Sequence, residues 1–107
     1  MANHHSSQRQ EITAIIYDKK GRVLSIGKNS YVKTHPTQAK YAYNAGEPYK
    51  QFLHAEIHAI IKCAHLDKAY KISVFRHNKS GEPLYAKPCP ICQSAIAATK
   101  IKIVEHT

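Results

Sequence analysis

The chain has 107 residues, 43% of them apolar, and sixteen Lys and Arg against seven Asp and Glu leave it at +9 with a pI near 9.6. That length accommodates one domain with a modest hydrophobic core, which an extra staple or a partner subunit would help. No run approaches the roughly 20 apolar residues that span a bilayer, and the polar stretch Met1 to Gln10 lacks the apolar segment of a secretory signal, so the chain reads as soluble and cytoplasmic, with no membrane partner.

In chain order, a polar tail over residues 1–10 precedes a folded unit over 11–107. Ile12 to Tyr17 is β-branched and aromatic-rich, Arg22 to Ile26 is a second short apolar run, and Asp18-Lys19-Lys20-Gly21 between them predicts an antiparallel hairpin. Gly27 to Gln51 is long and polar, with Pro36, Gly46 and Pro48 and no clear period. A loop of that length is either functional or hides a helix. Phe52, Leu53, Ile57, Ile60, Ile61 and Ala64 recur at helical spacing and predict a helix over Phe52 to Leu66. Tyr70 to Phe75 predicts a third strand, extended or turned back through Asn78-Lys79-Ser80-Gly81, with Pro88 closing the excursion. Cys89 to Thr99 predicts a second helix and Ile101 to Val104 a last strand. Strands alternating with helices in this order imply an α/β fold whose helices cover the sheet and bring their starts to one side.

Both predicted helices begin with metal-ligand chemistry. His54-Ala55-Glu56 opens the first and Pro88-Cys89-Pro90-Ile91-Cys92 the second, so one imidazole and two thiols are available, a set suited to tetrahedral Zn2+. Cysteines three apart on one turn can face one ion, and a helix N-terminus favours the thiolate that zinc binds. A structural zinc site is normally closed by four protein ligands, whereas three leave a position open for water or substrate, which argues for catalysis. Glu56 lies beside the imidazole and need not bind the metal. The third cysteine, Cys63, stands about 13 Å along the helix from His54 and reads as a buried inert thiol. With two cysteines spaced as ligands and one alone, a disulfide framework is not expected.

These residues resemble the zinc-dependent cytidine and deoxycytidylate deaminase superfamily, whose motifs are H-x-E followed by P-C-x-x-C. The resemblance covers most of the chain. It implies a cytidine-deaminase-like three-layer α/β fold, with a mixed sheet of about four or five strands flanked by helices. It also implies hydrolytic deamination of a base, with zinc on His54, Cys89 and Cys92 bringing the pKa of its water to about 7 and Glu56 shuttling protons. By the same resemblance the Ala55 N–H bonds the base carbonyl, the backbone near Pro88 accepts from the amine, and Asn29 holds the sugar. His58 departs from the family, which often has Asn or Thr there, and reads as a surface or hydrogen-bonded histidine. His35, His65, His77 and His106 have no ligand spacing.

The expected substrate is a cytosine nucleotide such as dCMP, converted to uracil. A cytosine in single-stranded DNA or RNA is the alternative, and an adenosine in RNA comes third. Lys19, Lys20, Arg22, Lys28, Lys33, Lys40 and Lys50 face only Glu47 between positions 19 and 50, where Tyr31, Tyr41, Tyr43 and Tyr49 also lie. Such a segment suits a polynucleotide, a nucleotide phosphate or simply solvent. A zinc-stabilised nucleic-acid-binding module without catalysis would use the same ligands but has no need of Glu56. Family members commonly continue past the last strand, so an uncovered sheet edge and a homo-oligomer are expected.

Overall fold

The computed structural model describes residues 11–30, 33–46, 53–78 and 80–107. The tail 1–10, together with Tyr31, Glu47, Pro48, Tyr49, Lys50, Phe52 and Lys79, lies outside the described residues. The hairpin forms from β1 (Glu11–Tyr17) and β2 (Val23–Lys28), which pair antiparallel with a bulge after Ile16. Asp18 builds its turn: the carboxylate accepts from the Lys20 and Arg22 N–H groups and from Arg22 Nε, while the Asp18 carbonyl accepts from the Gly21 N–H. These bonds hold the Asp18 carboxyl below its usual pKa, with the Arg22 backbone bond contributing most.

β2 extends two residues beyond the expected Ile26 because Gly27 lets a helix approach. A Cβ there would lie 2.8 Å from Ala59 Cα and closer still to Ala59 N and Ala55 O. That helix is α2 (Ala55–Lys62), shorter at both ends than its apolar period predicted. Cys63 leaves it in an extended conformation, and a 3₁₀ turn over Leu66–Lys68 carries the chain to the sheet. Preceding α2 is α1 (Pro36–Asn44), inside the segment that showed no clear period. His35 caps it by accepting from the Thr37 N–H at 3.1 Å, and Pro36 occupies a first-turn position where its missing N–H costs nothing.

β3 (Lys71–His77) pairs antiparallel with β1 along its whole length. The chain does turn back: Asn78 accepts from the Ser80 and Glu82 N–H groups, and the short β4 (Pro83–Leu84) pairs with Arg76 and His77. α3 (Pro90–Ala97) follows, and β5 (Ile103–His106), two residues later than expected, lies parallel to the first half of β3. The result is an open, mixed five-stranded sheet in the order β2-β1-β3-β4, with β5 beside β3, and three described helices. It is the α/β architecture that the resemblance implies.

Two apolar cores hold the layers together. Ala14, Ile16, Ile72 and Val74 on one face of the sheet meet Ala55, Ala59 and Cys63 of the α2 segment and Ile96 of α3. A second core, Ala42, Leu53, Ile57, Ile91, Cys92 and Ala95, joins α1 to α2 and α3. Ile16, Ile57, Ile72 and Ile91 are wholly buried, each worth about 1.5–3 kcal/mol relative to exposure. Ser25 bonds the Ala59 carbonyl at 2.7 Å and so ties α2 to β2 at its tightest approach. Ala64, expected on the apolar stripe, is exposed beyond the helix end. Among the described residues no helix is long and apolar enough to cross a membrane.

Candidate metal centre

The second core ends at the N-termini of α2 and α3, where the sequence motifs meet. His54 is the N-cap residue of α2 and Cys89 the N-cap of α3, so both precede the first turn in which they were expected. Their extended backbones turn the two side chains towards each other, while Cys92 reaches the same point from within α3. His54 Nδ1 lies 3.2 Å from Cys92 Sγ and 3.6 Å from Cys89 Sγ, and all three ligand atoms fall within 4.8 Å of one another. A tetrahedral zinc with ordinary bond lengths requires N···S separations of about 3.6 Å. The donor set therefore fits Zn2+ in both chemistry and spacing, and it is the one such group among the described residues.

In the protein without a cation, hydrogen bonding from Cys92 and then from His54 holds the Cys89 thiol down at about 3. The Cys92 thiol is pushed far above its usual value, chiefly by sharing its proton with Cys89 and by burial. Glu56 is only 6% exposed, and this desolvation raises its carboxyl above the ordinary glutamate value; its own N–H and the Cys92 thiol bond the carboxylate and oppose the rise. A buried acid with a raised pKa beside the two cysteines gives up its proton less readily than an exposed glutamate, which suits it to hold and return one.

The model for the cytidine and deoxycytidylate deaminase zinc-binding region matches residues 1–106. The chain belongs to this deaminase family. Comparison with curated proteins gives no match.

The other residues expected at the site stand at varying removes from this centre. Ala55 is the first residue of α2, wholly buried, and at that position its N–H has no partner within the helix. Pro88 is buried, and its carbonyl accepts from Gln93 Nε2 at 2.8 Å. Asn29 follows β2; its Oδ1 accepts from the Ile12 N–H at 2.9 Å, so the side chain anchors the end of the hairpin. The next residue, Ser30, donates its N–H to the Leu53 carbonyl at 2.9 Å, which brings Asn29 close in the chain to the approach to His54. His58 Nδ1 meets the Lys28 backbone, 3.0 Å from its N and 3.1 Å from its O, and is not among the metal-ligating group.

Sequence reasoning missed Gln38. This residue of α1 is wholly buried, and its Oε1 accepts from the His54 N–H at 3.1 Å. It fixes the backbone of a metal-ligand residue from a helix with no sequence link to either motif. The available clue was His35-Pro36, an N-cap with Pro just inside it, which marks a helix start two residues before Gln38.

Proposed function

We propose that the chain is a zinc-dependent hydrolytic deaminase that converts cytosine to uracil on a free nucleotide such as dCMP, with residues 11–107 acting as one catalytic unit. The observation that carries this reading is the convergence of His54, Cys89 and Cys92 beside a buried Glu56. His54, Cys89 and Cys92 hold the zinc. When bound there, zinc acts as a Lewis acid that makes water a usable nucleophile at neutral pH.

Glu56 takes the proton from the attacking water and passes it to the ring nitrogen beside the reacting carbon. It then takes the remaining proton from the hydroxyl newly formed on that carbon and gives it to the amine, which leaves as ammonia while the carbonyl forms, so the carboxylate ends the cycle as it began. Its raised pKa suits both halves of that shuttle. The Ala55 N–H and the Pro88 carbonyl bracket the base at its oxygen and its amine, and Asn29 contacts the sugar. Burial around Glu56 excludes bulk water, which would otherwise compete for the same protons.

A cytosine in single-stranded DNA or RNA is the second reading, favoured by the surface of α1. This helix touches the metal centre through Gln38 and carries Lys40 over the Tyr41 ring and Tyr43 at 75% exposure, a charge-and-stacking pattern suited to a strand. Zinc-loaded protein incubated with dCMP, cytidine, cytosine-containing single strands and adenosine-containing RNA separates these readings. Uracil from dCMP and none from oligomers supports the first; turnover of oligomers alone replaces it with the second. Glu56→Ala should retain zinc and lose turnover by at least about 10²-fold. Unchanged turnover in that variant would refute the shuttle.

A further inference from the structure

A cationic cleft lies at the end of the sheet opposite the metal centre. Ala55, next to His54 in the chain, and His58 sit against the Gly27–Lys28 end of β2, whereas Tyr17, Val23, Lys71 and Ile103 stand in register at the other end. Five residue steps along β2, from Val23 to Lys28, cover roughly 16–17 Å at strand rise, twice the screening length of about 8 Å at physiological salt. Electrostatically the cleft is a separate place.

Its volume is about 440 Å³, and Lys19, Lys20, Arg22, Lys68, Lys100 and Lys102 line it together with Tyr70, Asp18 and Asp67. Six cationic side chains thus surround two carboxylates, and all six are exposed. Asp18 is already committed to Arg22 and to the hairpin turn. The five lysines have no acidic partner at ion-pair distance among the described residues. Among the described residues six cations therefore outnumber two carboxylates at the cleft, which leaves a net positive charge to attract an external anion.

The cleft walls are also prebuilt. Tyr70 N–H donates to the Tyr17 carbonyl at 2.8 Å, and the Tyr70 carbonyl accepts from the Lys102 and Ile103 N–H groups. These bonds lock the end of β1, the entry to β3 and the entry to β5 around one half-buried aromatic ring. Because the lysines come from three separate segments, Lys19 and Lys20, Lys68, and Lys100 and Lys102, they suit several phosphates in a row rather than one. A cleft lined by lysines and one aromatic residue matches a flexible strand better than a flat bilayer.

We propose that this cleft binds the phosphate backbone of single-stranded nucleic acid, with Tyr70 as a stacking platform. The proposal goes beyond the deaminase reading and holds whichever substrate is turned over. Fluorescence anisotropy with a labelled oligothymidylate tests it, since thymine has no ring amine to lose and binding is read apart from turnover. Wild-type protein should bind, with log K falling against log salt by about 0.7 per phosphate neutralised.

The quadruple variant Lys19→Glu, Lys20→Glu, Lys100→Glu, Lys102→Glu should lose at least about tenfold in affinity and flatten the salt slope by about 3. The neutral set, the same four lysines changed to Gln, should move in the same direction and serves if charge reversal prevents folding. Lys62→Ala, exposed at the end of α2 and outside the cleft lining, should change binding by less than about threefold. Absence of oligothymidylate binding at low salt, or four-lysine variants that bind like wild type, would overturn the assignment. So would displacement of the strand by inorganic phosphate beyond its ionic-strength effect, which indicates a single-anion site, or binding to anionic vesicles without binding to the oligomer.

Discussion

Replacing Gly27 by Ala tests whether the close contact between β2 and α2 holds the metal centre together. The added Cβ would fall 2.8 Å from Ala59 Cα, and closer to Ala59 N and Ala55 O, where ordinary contact begins near 3.4 Å; all three are backbone atoms that no rotamer change can move. α2 must therefore retreat by about 1 Å. Overpacking of this kind costs about 1–3 kcal/mol. The same retreat stretches the buried 2.7 Å bond from Ser25 to the Ala59 carbonyl, adding about 1–2 kcal/mol. A total of about 2–5 kcal/mol is a large part of a stability that rarely exceeds 15 kcal/mol, and lowers Tm by some 8–40 °C.

Because Ala55 follows His54 directly, the retreat also moves the imidazole from its 3.2 and 3.6 Å separations from the sulfurs, so zinc affinity should fall as well. Thermal unfolding by circular dichroism and zinc titration against a chromogenic chelator read the two effects. Gly81→Ala is the control: its φ of +83° makes Ala cost about 1–2 kcal/mol, but its Cβ would meet nothing within 4 Å. A Gly27→Ala protein with a Tm within about 3 °C of wild type and normal zinc binding would refute the packing argument.

Cys92→Ser keeps the volume of a wholly buried side chain but removes a ligand; the variant should purify without zinc, and a chelator should lower the Tm of wild type while leaving that of the variant unmoved. Gln38→Leu strips the His54 N–H of its acceptor without emptying the space; zinc affinity should fall about 10–100-fold, measured by competition with a chelator, and an unchanged affinity would make Gln38 a packing residue only. Tyr85, Val104 and Ile103 are 68%, 44% and 38% exposed along the β4–β5 edge, so self-association there is expected; light scattering should give a dimer at micromolar concentration, and a monomer would exclude it.

Much of the site was legible in the chain because ligand chemistry is carried by residue type and spacing. His54 and Glu56 two apart, and Cys89 and Cys92 three apart behind Pro88, define a donor set that few other purposes require. Strong local patterns were legible too: the Asp18-to-Gly21 turn, the apolar stripe Ile57, Ile60 and Ile61, and the turn after Asn78. Boundaries were not. α2 stops at Lys62 although apolar residues continue, because Cys63 must leave the helix to enter the sheet core, a demand set by β1 and β3 rather than by neighbours in sequence.

Other features arose only when distant segments packed. α1 has a weak apolar period since it buries only Gln38 and Ala42, so its helical state depends on the core formed with Ile57, Ile91 and Cys92. Gly27 reads alone as a loop glycine; its role is visible only when Ala55 and Ala59 stand against it. The cationic cleft joins Lys19 to Lys102 across the whole chain, and net charge could not locate it. Sequence by itself determined which atoms can bind zinc, since that is a property of side chains. Tertiary structure decided that they meet within 4.8 Å and that Gln38 steadies them, and it alone gathered the cleft lysines at the far end of the sheet. Proximity between remote residues is a product of packing, and local pattern carries no record of it.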